Sequence, residues 1–247
     1  MRPRLLAAAT LGPGGIAPDA MLADLAGRAA RAACRAAGVA AADVDLVVTL
    51  SVSPSHQAVT PVLVGPRFGY AVQRDLGMAR AFVLDLIDAD WTFAIDQALL
   101  FARSQAARYV LVLRAENPVS IEAAHPAFAP GAGALLFEAG GQAPAARYAA
   151  IADGPLLTIE HPDDPAVRAE MVSHAWPPTL PDAARAVLAD LPARRHVEGW
   201  VPGHAAPAFD VYGLARFLAE APAGPIGAVT LDPFKARLGR IDLEVAR

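Results

Sequence analysis

Arg80-Ala81-Phe82-Val83-Leu84-Asp85-Leu86-Ile87-Asp88-Ala89-Asp90-Trp91-Thr92-Phe93-Ala94-Ile95 is the stretch whose pattern decides the fold class. Residues 82–87 are a short, nearly continuous apolar run, as expected of a strand covered on both faces. Asp88, Ala89, Asp90 and Trp91 break it. Phe93, Ile95, Ala98, Leu99 and Ala102 then recur mostly every three or four residues, which predicts a helix with one buried side. Such a strand-turn-helix elbow lies over the unpaired amides that open a helix, and many enzymes expose a nucleophile there. This elbow holds neither Ser nor Cys. It holds Asp88 and Asp90, either of which can accept from the first helical amides and stabilise the helix by about 1 kcal/mol.

Working outward, residues 5–9, 44–50, 109–113 and 131–137 read as further buried strands, with helices over about 19–37 and 61–76. Gly38 closes the first helix, Pro61 opens the second and Gly77 follows it. The order is βαβαβαββ, implying a mostly parallel α/β sheet carrying helices. After a small-residue linker at 140–146 the pattern is shorter and looser. Residues 147–151, 197–201, 226–231 and 240–245 are expected strands, 181–191 and about 209–219 are expected helices, and 161–178 is an expected polar loop. The second half echoes the first with at least one strand-helix unit missing.

Composition narrows the function classes. The 247 residues suit one large domain or two fused half-domains. A net charge of −4 with interspersed signs argues against nucleic acid as the main partner. No apolar run approaches the roughly 20 residues of a membrane span. The apolar start ends at Gly12-Pro13-Gly14-Gly15, too soon for a secretion signal, and is expected to be a strand. The single Cys34 rules out an internal disulfide, suits a reducing, cytoplasmic setting and reads as a small buried hydrophobe. His56, His125, His161, His174, His196 and His204 are scattered without metal-ligand spacing, so no metal is expected. The glycines at 12, 14 and 15 lack the spacing of a dinucleotide loop.

Val44-Asp45-Leu46-Val47-Val48, Phe82-Val83-Leu84-Asp85, Tyr109-Val110-Leu111-Val112-Leu113-Arg114-Ala115-Glu116 and Gly131-Ala132-Gly133-Ala134 follow one another in an order that resembles the thiolase fold, and within it β-ketoacyl synthase III. The resemblance implies two βαβαβαββ-type halves, residues 1–140 and a reduced C-terminal half at 147–247. Laid on that pattern, the catalytic cysteine falls at Asp90. The family histidine, in Pro-His-Gln-Ala, falls near Val201-Pro202-Gly203-His204-Ala205, which leaves His204 as a vestige. The family asparagine has no counterpart, since the chain's one asparagine is Asn117, in the other half.

Leu50-Ser51-Val52-Ser53-Pro54-Ser55-His56, Asp85-Leu86-Ile87-Asp88 and Thr230-Leu231-Asp232-Pro233-Phe234 are similar to PqsB-type subunits of 2-alkyl-4-quinolone synthase, short synthase III relatives paired with an active sister. That resemblance implies no catalytic residue here. It implies a cysteine-bearing synthase III-like sister in a heterodimer or heterotetramer, with no cofactor beyond an acyl-CoA or acyl-carrier thioester handled by the sister. The reaction implied is condensation of a medium-chain acyl group with 2-aminobenzoylacetate, in the alkylquinolone chemistry of quorum sensing. Phe82, Val83, Leu84, Ile87, Asp88, Trp91 and His56 are then expected at the interface or along the sister's acyl tunnel. A stand-alone homodimeric acyl-binding or acyl-transfer protein is the alternative, with Asp90 as base or nucleophile and Asp88, His56 or His204 assisting.

Overall fold

In the computed structural model, which describes residues 3–12, 14, 16–17, 20–52, 68–87, 89–117, 121–122, 128–140, 146–160, 169–198 and 210–246, the elbow falls where the sequence puts it. The first part of the chain runs β1 (Arg4–Leu11), α1 (Leu22–Ala37), β2 (Leu46–Ser51), α2 (Gly69–Asp75), β3 (Phe82–Ile87), α3 (Trp91–Ser104), β4 (Tyr109–Glu116), the short β5 (Ile121–Glu122) and β6 (Gly131–Glu138). The second part runs β7 (Arg147–Ala150), β8 (Leu157–Glu160), β9 (Ala169–Ser173), α4 (Asp182–Leu188), β10 (Arg195–Val197), α5 (Gly213–Glu220), β11 (Gly224–Asp232) and β12 (Arg237–Val245). The expected start of the second helix at Pro61 and the strand residues 199–201 lie outside the described residues. No described helix is long and apolar enough to cross a membrane.

One nine-stranded sheet runs β10-β11-β12-β1-β6-β4-β2-β3, with β7 also pairing β12. Its two parts repeat an order. The first is β3-β2-β4-β6-β1 and the second is β10-β11-β12-β7, so the second lacks, among the described residues, the strand that β3 supplies beside β2. The parts meet at a short seam where β1 pairs β12 at Arg4↔Glu244 and Leu5↔Val245.

The sheet is mixed rather than mostly parallel. β6 runs antiparallel to both β1 and β4, and β11 antiparallel to β12. The β11–β12 connection is a four-residue turn, and a chain that reverses in so few residues can pair only antiparallel. The expected loop at 161–178 also contains a strand. β9 pairs antiparallel with β8, with Ile159 opposite Met171, and parallel with β5, making a second, three-stranded sheet.

Side-chain size explains the layers. Ala26, Ala29, Ala30 and Ala33 are buried on α1 and let it approach β1, β4 and β6 closely, with Cys34 buried at 4% exposure among them. Gly38 closes α1 in the left-handed conformation at φ 65°. The helix starts at Leu22, three residues later than the sequence suggests, after an extended Met21 that gives no side-chain cap. α1 and α2 cover one face of the first strand set. α3 and α5 fill the space between the two sets, and α4 packs on the far side against β7 and β12.

β3 departs from the expected fully covered strand. It ends the sheet, Phe82 is 49% exposed, and residues 83–86 are half-buried. Its outer edge has no partner among the described residues. The side chains alternate: Phe82 meets Phe101 of α3 edge-on at 5.7 Å, whereas Val83 and Asp85 face Gly69 of α2.

Candidate functional site at the elbow

Asp90 is the N-cap of α3, with extended backbone (φ −88°, ψ 168°), and its Oδ1 accepts from the Phe93 amide at 2.9 Å. The turn residue is thus used in the way short polar residues are used wherever a helix begins. Two further groups converge on it, one of them held by Thr92 in turn. The Thr230 hydroxyl donates to Oδ1 at 2.8 Å, the Arg237 guanidinium lies 3.4 Å from Oδ2, and Thr92 at the start of α3 donates its amide to Thr230 at 3.1 Å. Asp90 is 2% exposed, so it is a buried carboxylate with both oxygens engaged.

A second buried carboxylate shares the cation. Asp232 Oδ2 lies 3.2 Å from Lys235 Nζ and 3.6 Å from Arg237 Nη2, and its Oδ1 accepts from the Lys235 amide at 3.1 Å. Burial, and then the charge of Asp90, raises the Asp232 carboxyl above its ordinary value. The Arg237 guanidinium lies over the rings of Phe93 and Tyr148, 5.1 and 4.8 Å from their centroids, and the two rings meet edge-on. Tyr148 donates to Asp96 at 3.0 Å; burial, and then the Asp96 charge, raises its phenol far above the ordinary value.

On the other side of the turn Arg114 donates to the buried Glu116 at 3.0 Å and to the Ala89 carbonyl at 3.3 Å. Glu116 also accepts from the Ser51 hydroxyl at 2.9 Å and the Val52 amide at 3.1 Å, tying β4 to the end of β2. Glu198, just past β10, accepts from the Leu231 amide at 3.0 Å; burial raises its carboxyl, and the nearby His196 opposes that shift. The described residues around this turn, among them Asp90, Arg114, Phe128, Glu198, Asp232 and Phe234, leave a cavity of about 10 Å³. That is room for one water at most.

Of the residues singled out from sequence, Phe82, Val83 and Leu84 lie along the open-edged strand, and Ile87 ends it. Trp91, expected at the interface or tunnel wall, is 1% exposed and lies in this chain's own core, where its indole donates to the Val211 carbonyl at 2.6 Å. A large ring one residue past the cap points inward because that is the packed side of α3. Asp88, His56 and His204 lie outside the described residues. Among the described residues no group of three His, Cys, Asp or Glu is placed to hold a metal ion.

Sequence reasoning missed Arg114, Glu116, Glu198, Thr230, Asp232 and Arg237 as members of this cluster. The signal available was the charged pair Arg114-Ala115-Glu116 closing an otherwise apolar strand, since buried charges come paired.

No protein-family model matches the chain. It is 30% identical over 239 residues to the 2-heptyl-4(1H)-quinolone synthase subunit PqsB of Pseudomonas aeruginosa, an alignment covering 88% of this chain and 84% of that one. The chain belongs to the PqsB-type, synthase III-like family. A β-ketoacyl-[acyl-carrier-protein] synthase III of Brucella canis is 36% identical to this PqsB-type chain over 118 residues, 45% of the chain and 34% of the relative. Among solved structures, a priming β-ketosynthase of a polyketide pathway superposes with a TM-score of 0.69 at 19% identity, covering 99% of this chain and 96% of the other. The 3-oxoacyl-(acyl carrier protein) synthase III of Pseudomonas aeruginosa gives 0.66 at 16% identity, covering 100% and 99%. These likenesses establish the thiolase-like α/β fold of the PqsB-type chain.

Proposed function

We propose that this chain is the non-catalytic subunit of a two-chain acyltransferase, shaping and stabilising a cysteine-bearing synthase III-like sister. The observation that carries the reading is Asp90. At the position that the family resemblance gives to the nucleophile stands a carboxylate that caps α3, meets Thr230 and Arg237, and faces a cavity of about 10 Å³. A carboxylate is a far weaker nucleophile toward a thioester than a thiolate, and its product would be an anhydride. No acyl chain fits between the described residues there.

The open edge of β3 supports the second half of the reading. Unpaired strand edges are aggregation sites unless something covers them, and an exposed Phe82 adds an apolar contact. A partner strand alongside β3 satisfies the backbone and covers Phe82, Val83 and Leu84. The interface expected of an obligate pair exceeds roughly 2,000 Å². The reaction we assign to the pair is the one the family resemblance implies: a medium-chain acyl group leaves its carrier thiol and condenses with 2-aminobenzoylacetate, which loses carbon dioxide, and ring closure by the aniline nitrogen expels water to give a 2-alkyl-4-quinolone. The sister holds the thioester, and no other cofactor takes part.

Co-expression with a synthase III-like sister tests this. The reading expects a stable complex whose acyl transfer disappears when this chain is left out, and a monodisperse chain that ignores every such sister overturns it. The same open edge also fits a second copy of this chain, in a homodimer that uses Asp90 itself. Light scattering on the isolated chain, with turnover measured before and after Asp90→Asn, separates the two.

A further inference from the structure

The cavity at the elbow has two kinds of wall. Asp90, Arg114, Glu198 and Asp232 bring charge to it, and the rings of Phe128 and Phe234 share the lining. The rings come from different parts of the chain, Phe128 shortly before β6 and Phe234 in the turn between β11 and β12. Their centroids lie 5.9 Å apart at an interplanar angle of 51°, within the range that aromatic pairs prefer. Phe128 is 1% exposed, whereas Phe234 is half-buried and is the ring that meets solvent.

Both rings are held in place. The Arg114 guanidinium lies 5.8 Å from the Phe128 ring centroid, and the carbonyl of the next residue, Ala129, accepts from the Tyr212 hydroxyl at 3.1 Å. Across the cavity, the Pro233 carbonyl accepts from the Leu156 and Leu157 amides at 2.7 and 3.2 Å, and the Lys235 amide donates to Asp232 at 3.1 Å. Backbone bonds thus fix the residues on either side of Phe234.

Size decides what closes the elbow. An apolar void of about 150 Å³ holds one benzene, and a phenyl side chain is of that size. The space left beside the two rings is about 10 Å³. The rings occupy far more room than they leave. Beneath them four charged side chains are buried together, an arrangement that ligand pockets share and that plain core packing avoids.

We propose that Phe128 and Phe234 form a two-ring plug over Asp90, so that the elbow is a latent pocket closed by side chains and not by backbone. The inference rests on the reading of this chain as the non-catalytic subunit, and it names the residues that withhold the unused elbow from an acyl substrate.

The test is the accessibility of a thiol placed in the cavity wall. Val52 lines the cavity and is buried, and Val52→Cys makes its side chain no larger. The natural Cys34, buried on α1 against the other face of the sheet, reports opening of the whole chain in the same sample. Modification of the full chain by methyl methanethiosulfonate is followed at both thiols by peptide mass. With the plug intact, the thiol at position 52 is expected to react no faster than Cys34. Adding Phe234→Ala or Phe128→Ala is expected to speed the reaction at position 52 about tenfold or more while Cys34 keeps its rate. Phe234→Leu, which keeps more of the core contact, is expected to give a smaller rise in the same direction, and it carries the test if alanine unfolds the chain. Three results overturn the proposal: fast reaction at position 52 with both rings present, no acceleration in the ring variants, or equal acceleration of both thiols. Sister binding is measured separately by co-purification, so a failed complex tells against the subunit reading and the thiol rates tell for or against the plug.

Discussion

The Thr230 hydroxyl donates to the Asp90 carboxylate at 2.8 Å across 140 positions of sequence. One residue thereby caps α3 locally and ties the start of that helix to β11. Arg237 extends the tie to the next strand through its contact with Asp90 Oδ2.

Replacing Asp90 therefore acts on stability. Asp90→Ala removes the helix cap, leaves the buried Thr230 hydroxyl short of an acceptor and the half-buried Arg237 with Asp232 as its facing carboxylate, with an expected loss of about 2–3 kcal/mol in urea unfolding. Asp90→Asn keeps one acceptor oxygen and is expected to cost about half as much. A catalytic Asp90 would show the reverse: near-wild-type stability in Asp90→Asn with loss of turnover.

The buried Arg114–Glu116 pair, 3.0 Å apart, makes a sharper case. Arg114→Leu leaves the Glu116 charge buried without its facing cation and is expected to cost about 3–5 kcal/mol. The double change Arg114→Leu with Glu116→Leu removes both charges and is expected to recover part of that loss. A double-mutant cycle by chemical denaturation measures the coupling, and additive losses would show that the pair does not act as a unit.

Glu198 gives the chain a dependence on pH. Burial raises its folded carboxyl above the ordinary 4.5, so the folded state holds the proton more firmly than the unfolded state. Its stabilising contribution is complete below 4.5 and is lost as pH rises through the raised folded value. Asp232 shifts in the same direction, by burial and by the charge of Asp90. Unfolding free energy is thus expected to fall as pH rises across this window, and Glu198→Gln is expected to flatten the slope. A wild-type curve with the opposite slope there would contradict the assignment.

Gly69 fixes how α2 sits on the edge strand. A Cβ at this position would come within 2.6 Å of Val83 Cγ1 and 2.7 Å of Asp85 Oδ1, and the Gly69 amide donates to Asp85 Oδ1 at 3.1 Å. Gly69→Ala is expected to lift α2 from β3, cost about 1–3 kcal/mol and speed amide exchange along β3. Unchanged exchange in residues 82–87 would show that α2 does not support the edge.

What the sequence revealed and what it hid divide along the range of the interactions. α3 and its cap were legible because an N-cap is set within four residues, and β3 was legible because its apolar run is bounded by charge. The edge position of β3 is not visible in the run itself, which looks the same whether its neighbour is its own chain or another; only the family resemblance places Phe82, Val83 and Leu84 at an interface. β8 and β9 were missed because each is short and depends on pairs such as Ile159↔Met171, not on a pattern of its own. The cluster around Asp90 was the least legible part. Thr230, Asp232 and Arg237 reach it only through the packing of β11 and β12 against α3.

The most direct measurement of the central claim is acyl transfer by this chain alone, by its synthase III-like sister alone, and by the two co-expressed, each with wild-type and Phe82→Asp versions of this chain. The account predicts turnover only in the co-expressed pair, and loss of both complex and turnover when Phe82→Asp places a charge on the open β3 edge. Turnover by the isolated chain that vanishes in Asp90→Asn would contradict it.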